Sequence, residues 1–173
     1  DLIRVIVVDA VGNSFAMSGV RFHYDLELSV TGIYPPVSTA WNTGRVVTIT
    51  GTQFTSSVDF RCRATLASSP ATPIISTPVQ WYSSTQVTCL VPAGASATDS
   101  VNITVSNNAL DFAVGGVTLQ YVLAPTVLSI EPFTGPVSGS TPLVVKGTNF
   151  DAVSSAVNAV FCVFGDAHVV AAI

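Results

Sequence analysis

The sequence predicts an all-β protein made of tandem β-sandwich units, one complete and two partial. Two observations carry this prediction. An alternating β-branched stretch that ends in Gly-Thr-x-Phe occurs twice, at residues 45–54 and 142–150, and such alternation is typical of strands. The glycines of the two copies, Gly51 and Gly147, are 96 residues apart (147 minus 51). That spacing suits one small sandwich per repeat better than a solenoid unit of about 20 to 50 residues.

A second repeat sets the domain organisation. Residues 1–24 align without a gap with residues 98–121, at an offset of 97 (121 minus 24). We therefore predict three regions. They are the C-terminal strands of a preceding unit (1–25), a complete unit (26–122) and the N-terminal part of a following unit (123–173).

Seven strands are predicted in the complete unit, and nothing reads as a helix of useful length. The strands are 29–34, 45–50, 58–64, 80–82, 86–91, 101–105 and 116–121. In the third strand, small or apolar residues alternate with charged ones, which predicts one core face and one wet face. The core positions are Val58, Phe60, Cys62 and Ala64, and the wet positions are Asp59, Arg61 and Arg63. Residues 93–97 and 152–159 are helix-compatible, but loops or short strands are expected there.

The composition limits the partners. Of the 173 residues, 49% are hydrophobic and 9% are charged, with a net charge of −4, whereas roughly 25% charged residues is average. An acidic chain without a basic face opposes nucleic-acid binding. No apolar run reaches the roughly 18 residues of a membrane span, so no direct membrane insertion of this segment is expected.

The cysteines indicate an oxidising compartment. Cys62 and Cys89 occupy inward-facing strand positions of one unit, which predicts a disulfide worth about 2 to 4 kcal/mol. Cys162 is the counterpart of Cys62 in the third unit, left unpaired by truncation. Two buried free thiols are the alternative. A structural zinc is disfavoured, since neither His23 nor His168 completes a four-ligand spacing.

Other candidate sites are few. Asn102-Ile103-Thr104 is an N-glycosylation acceptor pattern, and residues 68–78 are rich enough in Ser, Thr and Pro for O-linked sugars. Trp41 and Trp81 are core or rim aromatics, with a sugar-stacking or partner-contacting platform as the alternative.

We expect no enzyme activity, cofactor or metal. The two histidines fall in different predicted units, and His23 is expected to face solvent on a strand. The carboxylates Asp59, Asp99 and Asp111 are dispersed along the sequence. This arrangement gives neither a hydrolytic pair nor the close Asp spacing of a calcium site.

Together these features resemble the IPT/TIG domain, an immunoglobulin-like domain of the E-set type found in plexins, Met-type receptors and fibrocystin-like proteins. The resemblance depends on the strand opening at 30–35, the Gly51 motif, both cysteine strands and the closing strand at 116–121. It implies an immunoglobulin-like fold and brings no catalytic motif.

The predicted function is a non-catalytic structural segment of a long, glycosylated extracellular protein, namely a cell-surface or flagellar filament or stalk. Its expected partners are neighbouring repeats of the chain and lateral copies, with linkers of about five residues holding the units stiffly. A ligand-binding or adhesion ectodomain of a receptor is the alternative, followed by a carbohydrate-binding module that uses the two tryptophans. The expected location is the cell surface, including flagellar or ciliary appendages.

Overall fold

A computed structural model describes residues 2–16, 19–150, 161–165 and 168–171. Strands dominate the described part of the chain. They are β1 (Leu2–Arg4), β2 (Val7–Val8), β3 (Ser14–Ala16), β4 (Arg21–His23), β5 (Ser29–Tyr34), β6 (Val37–Ser38), β7 (Arg45–Thr52), β8 (Arg61–Leu66), β9 (Ile74–Ser76), β10 (Gln80–Ser83), β11 (Gln86–Val91), β12 (Ser100–Ser106), β13 (Val117–Tyr121), β14 (Thr126–Glu131), β15 (Val144–Thr148), β16 (Phe161–Phe164) and β17 (His168–Ala171).

Strands β5 to β13 form a complete immunoglobulin-like sandwich, as the sequence predicts. Sheet one has the order β10-β11-β7-β5, and sheet two has the order β6-β13-β12-β8-β9. All pairs are antiparallel except β6 with β13, which is parallel. Four two-stranded pairs flank the sandwich in sequence: β1-β4 and β2-β3 before it, and β14-β15 and β16-β17 after it.

The core lies between the two sheets and follows the period of two residues that the sequence shows. Each central strand sends alternate side chains inward, where they are almost fully buried. These residues are Val47 and Ile49 of β7, Val87, Cys89 and Val91 of β11, Cys62 and Ala64 of β8, Val101, Ile103 and Val105 of β12, and Leu119 and Tyr121 of β13.

The prediction that Val58 is a core residue is wrong. Strand β8 begins at Arg61, and Val58 lies in the preceding turn with 87% of its surface exposed. The Arg61 guanidinium donates hydrogen bonds to the carbonyl oxygens of Val58 (2.6 Å) and Phe60 (2.8 Å), which holds this turn. The Phe60 side chain still enters the core and meets Phe54 edge to face, at 5.8 Å between ring centroids.

Two edge strands were missed by the sequence prediction. β6 follows Pro35 and Pro36, and β9 lies within the Ser/Thr/Pro-rich segment 68–78, where no strand is predicted. Both are short, as proline-flanked edge strands usually are. Residues 93–97 contain no strand or helix, as expected, and residues 152–159 lie outside the described residues.

Gly51 allows β5 and β7 to approach closely. A Cβ at this position would overlap the carbonyl oxygen of Ser29 and lie 2.6 Å from the Phe54 ring. The register of β5 on β7 shifts at this place, which marks a bulge on β5. The residue with positive φ next to this strand end is Gln53, with φ of 61°.

The β14–β15 pair repeats this local structure. A Cβ at Gly147 would overlap the carbonyl oxygen of Thr126 and the ring of Phe150. The ladder has a register shift at the equivalent place, and Asn149 has φ of 62°, matching Gln53. The repeated sequence motif therefore produces the same backbone arrangement twice.

Candidate functional site

A disulfide joins the two sheets through the centre of the core. Cys62 lies on β8 of sheet two and Cys89 on β11 of sheet one, with their Cα atoms 6.1 Å apart. The two residues are only 2% and 1% exposed. The structure thus contains the predicted bond in place of buried thiols or a zinc site. Cys162 is a free, partly buried cysteine.

Asp99 is a buried carboxylate with a structural role that the sequence did not reveal. Its side chain accepts hydrogen bonds from the Ser68 hydroxyl (2.7 Å), the Ala95 amide (2.9 Å) and the Ser100 amide (2.9 Å). The Ser68 hydroxyl, followed by the Ala95 amide, holds the pKa of Asp99 below the ordinary value of a carboxyl group, against the opposing effect of burial. Asp99 thereby ties the loop after β8 to the loop before β12.

The lowered pKa of Asp99 makes the sandwich sensitive to acid. Because the folded-state pKa is below the unfolded one, this stabilisation is present above about pH 4 and is lost as the pH falls through the folded pKa. We expect Asp99→Asn to lower the free energy of unfolding at pH 7 by about 1 to 3 kcal/mol. Urea unfolding at pH 7, 4 and 3 should show the difference from wild type shrinking on acidification.

Asp59→Asn is the matched control, since Asp59 is exposed and its side chain makes no hydrogen bond in the described part of the chain. It should leave the unfolding midpoint unchanged at pH 7. A difference between wild type and Asp99→Asn that stays constant from pH 7 to pH 3 would contradict the role given to Asp99.

Two more buried polar residues fasten the ends of the sandwich. The Tyr121 hydroxyl donates a hydrogen bond to the Pro92 carbonyl oxygen, and burial, ahead of the nearby Asp99 charge, raises the pKa of Tyr121. At the other end, the Asn107 side chain accepts from the Thr55 amide (3.0 Å) and donates to the Gln53 carbonyl oxygen (2.8 Å). The side chains of Tyr121 and Asn107 therefore hold the segments at Pro92 and at Gln53–Thr55 by hydrogen bonds.

The outer face of sheet two carries an unexpected stack. The sequence predicts Arg63 only to be at a wet position, but its guanidinium lies 4.2 Å from the centre of the Phe112 ring. Its Nε also donates a hydrogen bond to Thr104 Oγ1 at 3.1 Å. Beside this stack, Asn102 is exposed on the central strand β12.

The two tryptophans are at different ends of β11. The Trp41 carbonyl oxygen accepts a hydrogen bond from Gly94, beyond the end of β11. Trp81 lies on edge strand β10, paired with Val87 near the start of β11. Their backbones are therefore separated by at least about 13 Å along the strand direction. A sugar or partner contact by either residue stays a prediction.

The remaining polar residues that the structure describes form no converging group. His23 is exposed, as expected, and its Nδ1 lies 2.8 Å from Asp25 Oδ1. His168 begins β17, and its side chain is outside what the structure describes. Among the described residues, no set of three or more His, Cys, Asp or Glu side chains is placed to hold a metal ion.

In the same residues, no helix has the length and apolar character needed to cross a membrane.

A family model described as the IPT/TIG domain matches residues 28–121 and again residues 125–171. The chain belongs to the IPT/TIG family. No curated protein matches the chain. IPT/TIG domains are non-catalytic immunoglobulin-like domains used in adhesion or structural roles, and the disulfide found here is consistent with an extracellular location.

The connection between the two IPT/TIG matches is short and attached on both sides. Val122 is buried, and its amide donates a hydrogen bond to the Ser38 carbonyl oxygen (3.0 Å) in the complete unit. The Ala124 carbonyl oxygen accepts a hydrogen bond from the Asn149 side chain (3.1 Å), which follows β15 of the next match. Only Leu123, half exposed, lies between these two attachments.

Proposed function

We propose that this chain is a non-catalytic structural segment of a long extracellular protein, in which tandem IPT/TIG units form a stiff filament or stalk at the cell surface or on a flagellar or ciliary appendage. Its function is to hold neighbouring units at a fixed separation and to contact lateral copies. The alternative is an adhesion or ligand-binding ectodomain in which one unit binds a partner.

The observation that carries the proposal is the attached connection around Leu123. A flexible tether needs several residues without fixed hydrogen bonds, since end-to-end freedom grows with the number of free residues. Here the hydrogen bonds of Val122 and Ala124 leave one residue between the two units. So short a connection leaves little chain to absorb relative motion.

The outer face of sheet one supports lateral contact. The outward positions of its two central strands pair across the ladder as Gln86 with Thr50, Thr88 with Thr48, and Leu90 with Val46. None of these side chains is charged. Copies that pack closely against an uncharged face bury no charged side chain of that face, which would otherwise cost desolvation free energy.

Interspin distances can test the stiffness. Spin labels are attached at Val58→Cys in the complete unit and Val137→Cys in the next, both highly exposed positions, in a Cys162→Ser background. We expect a single narrow distance distribution for the native connection. Insertion of Gly-Ser-Gly after Leu123 should broaden that distribution at least about twofold, since it adds free residues.

The matched control places the same three residues after Ala71, an exposed position in the loop between β8 and β9. This insertion should leave the distribution as narrow as before. If the native chain already gives a distribution as broad as the Leu123 insertion variant, the stiff-array proposal is wrong, and an independently moving adhesion unit becomes the better reading.

A further inference from the structure

Asn102 occupies an unusual place for its residue type. It is exposed at the middle of β12, where it pairs with Thr65 of β8 and Thr118 of β13. Asparagine is depleted in strands, because its side chain packs poorly on a pleated surface. The residues around it on this face are small, and Gly116 lies next to its Oδ1. The Asn102 side chain is therefore accessible from solvent on this face.

The Asn102 amide is also unused. Four other asparagines donate their side-chain amides to loop acceptors: Asn13 to Asp9, Asn107 to Gln53, Asn108 to Asp111 and Asn149 to Ala124. Within the described residues the Asn102 side chain makes no hydrogen bond. A structural reason for asparagine at this position is thus absent from the contacts that the structure describes.

We propose that Asn102 carries an N-linked glycan on the outer face of sheet two. Asn102-Ile103-Thr104 is the single acceptor pattern of this kind in the sequence. The donor is an oligosaccharide joined through a diphosphate to a lipid. The Asn102 Nδ2 forms a bond to the anomeric carbon of the sugar, the bond from that carbon to the diphosphate oxygen breaks, and the amide proton is lost as the lipid diphosphate leaves.

The structure also sets when the glycan is added. Thr104, whose hydroxyl is part of the acceptor pattern, is only 5% exposed. Its Oγ1 accepts the hydrogen bond from Arg63, and the Arg63 guanidinium lies over Phe112. Because Thr104 pairs with Arg63 across β12 and β8, folding covers the hydroxyl. The transferase must therefore act on the extended chain before β12 joins sheet two.

Translation of the full chain behind a signal peptide into microsomes tests the site. We expect a mass increase that peptide N-glycosidase reverses, with the Asn102-containing peptide then recovered as aspartate. Asn102→Gln and Thr104→Ala should abolish the increase completely, whereas Thr104→Ser should keep it. Asn42→Gln is the matched control and should keep it too, since Asn42 is exposed but followed by Thr43 and Gly44. An unmodified wild-type chain, or a modification that survives Asn102→Gln, would overturn the proposal.

A separate experiment tests whether the glycan is added before folding. Its outcome does not depend on the stiffness of the array. Two samples of the chain, made in bacteria, are incubated with oligosaccharyltransferase and lipid-linked oligosaccharide. One sample is folded. The other is first reduced and unfolded in denaturant, and the denaturant is diluted just before the incubation. We expect modification of the unfolded sample at least about tenfold above the folded one. Equal modification of both samples would show that Thr104 is accessible in the folded unit, and the order of events proposed here would be wrong.

Discussion

Gly51→Ala is expected to destabilise the complete IPT/TIG unit by about 3 kcal/mol or more, at the upper end of the cost of overpacking. The added methyl group would overlap the Ser29 carbonyl oxygen and meet the Phe54 ring. Relief requires β5 to move away from β7, which would break the ladder that joins them. The loss is measured as a lower midpoint in urea unfolding followed by tryptophan fluorescence.

The overlap of the added methyl group with the Ser29 carbonyl oxygen can be tested separately from its contact with the Phe54 ring. Combining Gly51→Ala with Phe54→Ala removes the ring contact but leaves the Ser29 oxygen in place, so the double variant should not regain stability. Gly19→Ala should be neutral, since no described residue lies within 4 Å of the Cβ added at Gly19. A Gly51→Ala variant as stable as wild type would contradict the proposed close approach of the strands.

Removal of the disulfide by Cys62→Ala together with Cys89→Ala is expected to cost about 3 kcal/mol. The bond closes a loop with a sequence separation of 27 residues, and such a loop restricts the unfolded chain by an amount within the usual range for native disulfides. The loss should appear as a lower urea midpoint. Adding a reductant to the wild-type protein should reproduce it.

The free cysteine, Cys162, provides the control that distinguishes loss of the disulfide from an effect of the reductant on other thiols. Cys162→Ser should leave the midpoint unchanged, and the double alanine variant should no longer respond to reductant. If the wild-type midpoint is the same with and without a reductant that is shown to have cleaved the bond, the disulfide does not stabilise the unit as argued here.

Much of the fold follows from the sequence because long strands with one buried face have a clear period. β5 and β11 have their predicted bounds, and the buried hydrophobic residues of β7, β11 and β12 alternate along each strand as a period of two requires. The exceptions are local. Val58 continues the alternation of β8 without belonging to the strand, because hydrogen bonds from the Arg61 guanidinium to the carbonyl oxygens of Val58 and Phe60 favour a turn there. β6 and β9 are too short and too close to prolines to show any period.

The contacts within the sandwich were harder to predict than the disulfide. Two cysteines at inward strand positions of one unit directly predict a disulfide. In the sequence, by contrast, Asp99 cannot be told apart from the other dispersed carboxylates, because its partner Ser68 meets it only in the folded unit. Arg63 is similar, since its ring partner Phe112 is remote in sequence. Such pairs depend on tertiary distance, which a single sequence does not encode in any local pattern.

The repeated close approach at Gly51 and Gly147 has a consequence for biosynthesis. The bulged strands β5 and β14 both pair with a glycine-bearing strand of the same kind, so in a growing chain β7 offers β14 the same glycine and bulge position as β15 does. Correct partnership then comes from proximity along the chain, because closing a short loop loses less entropy than closing a long one. Fast local hairpin closure thus protects this protein from exchange of strands between adjacent repeats, a common failure of tandem arrays.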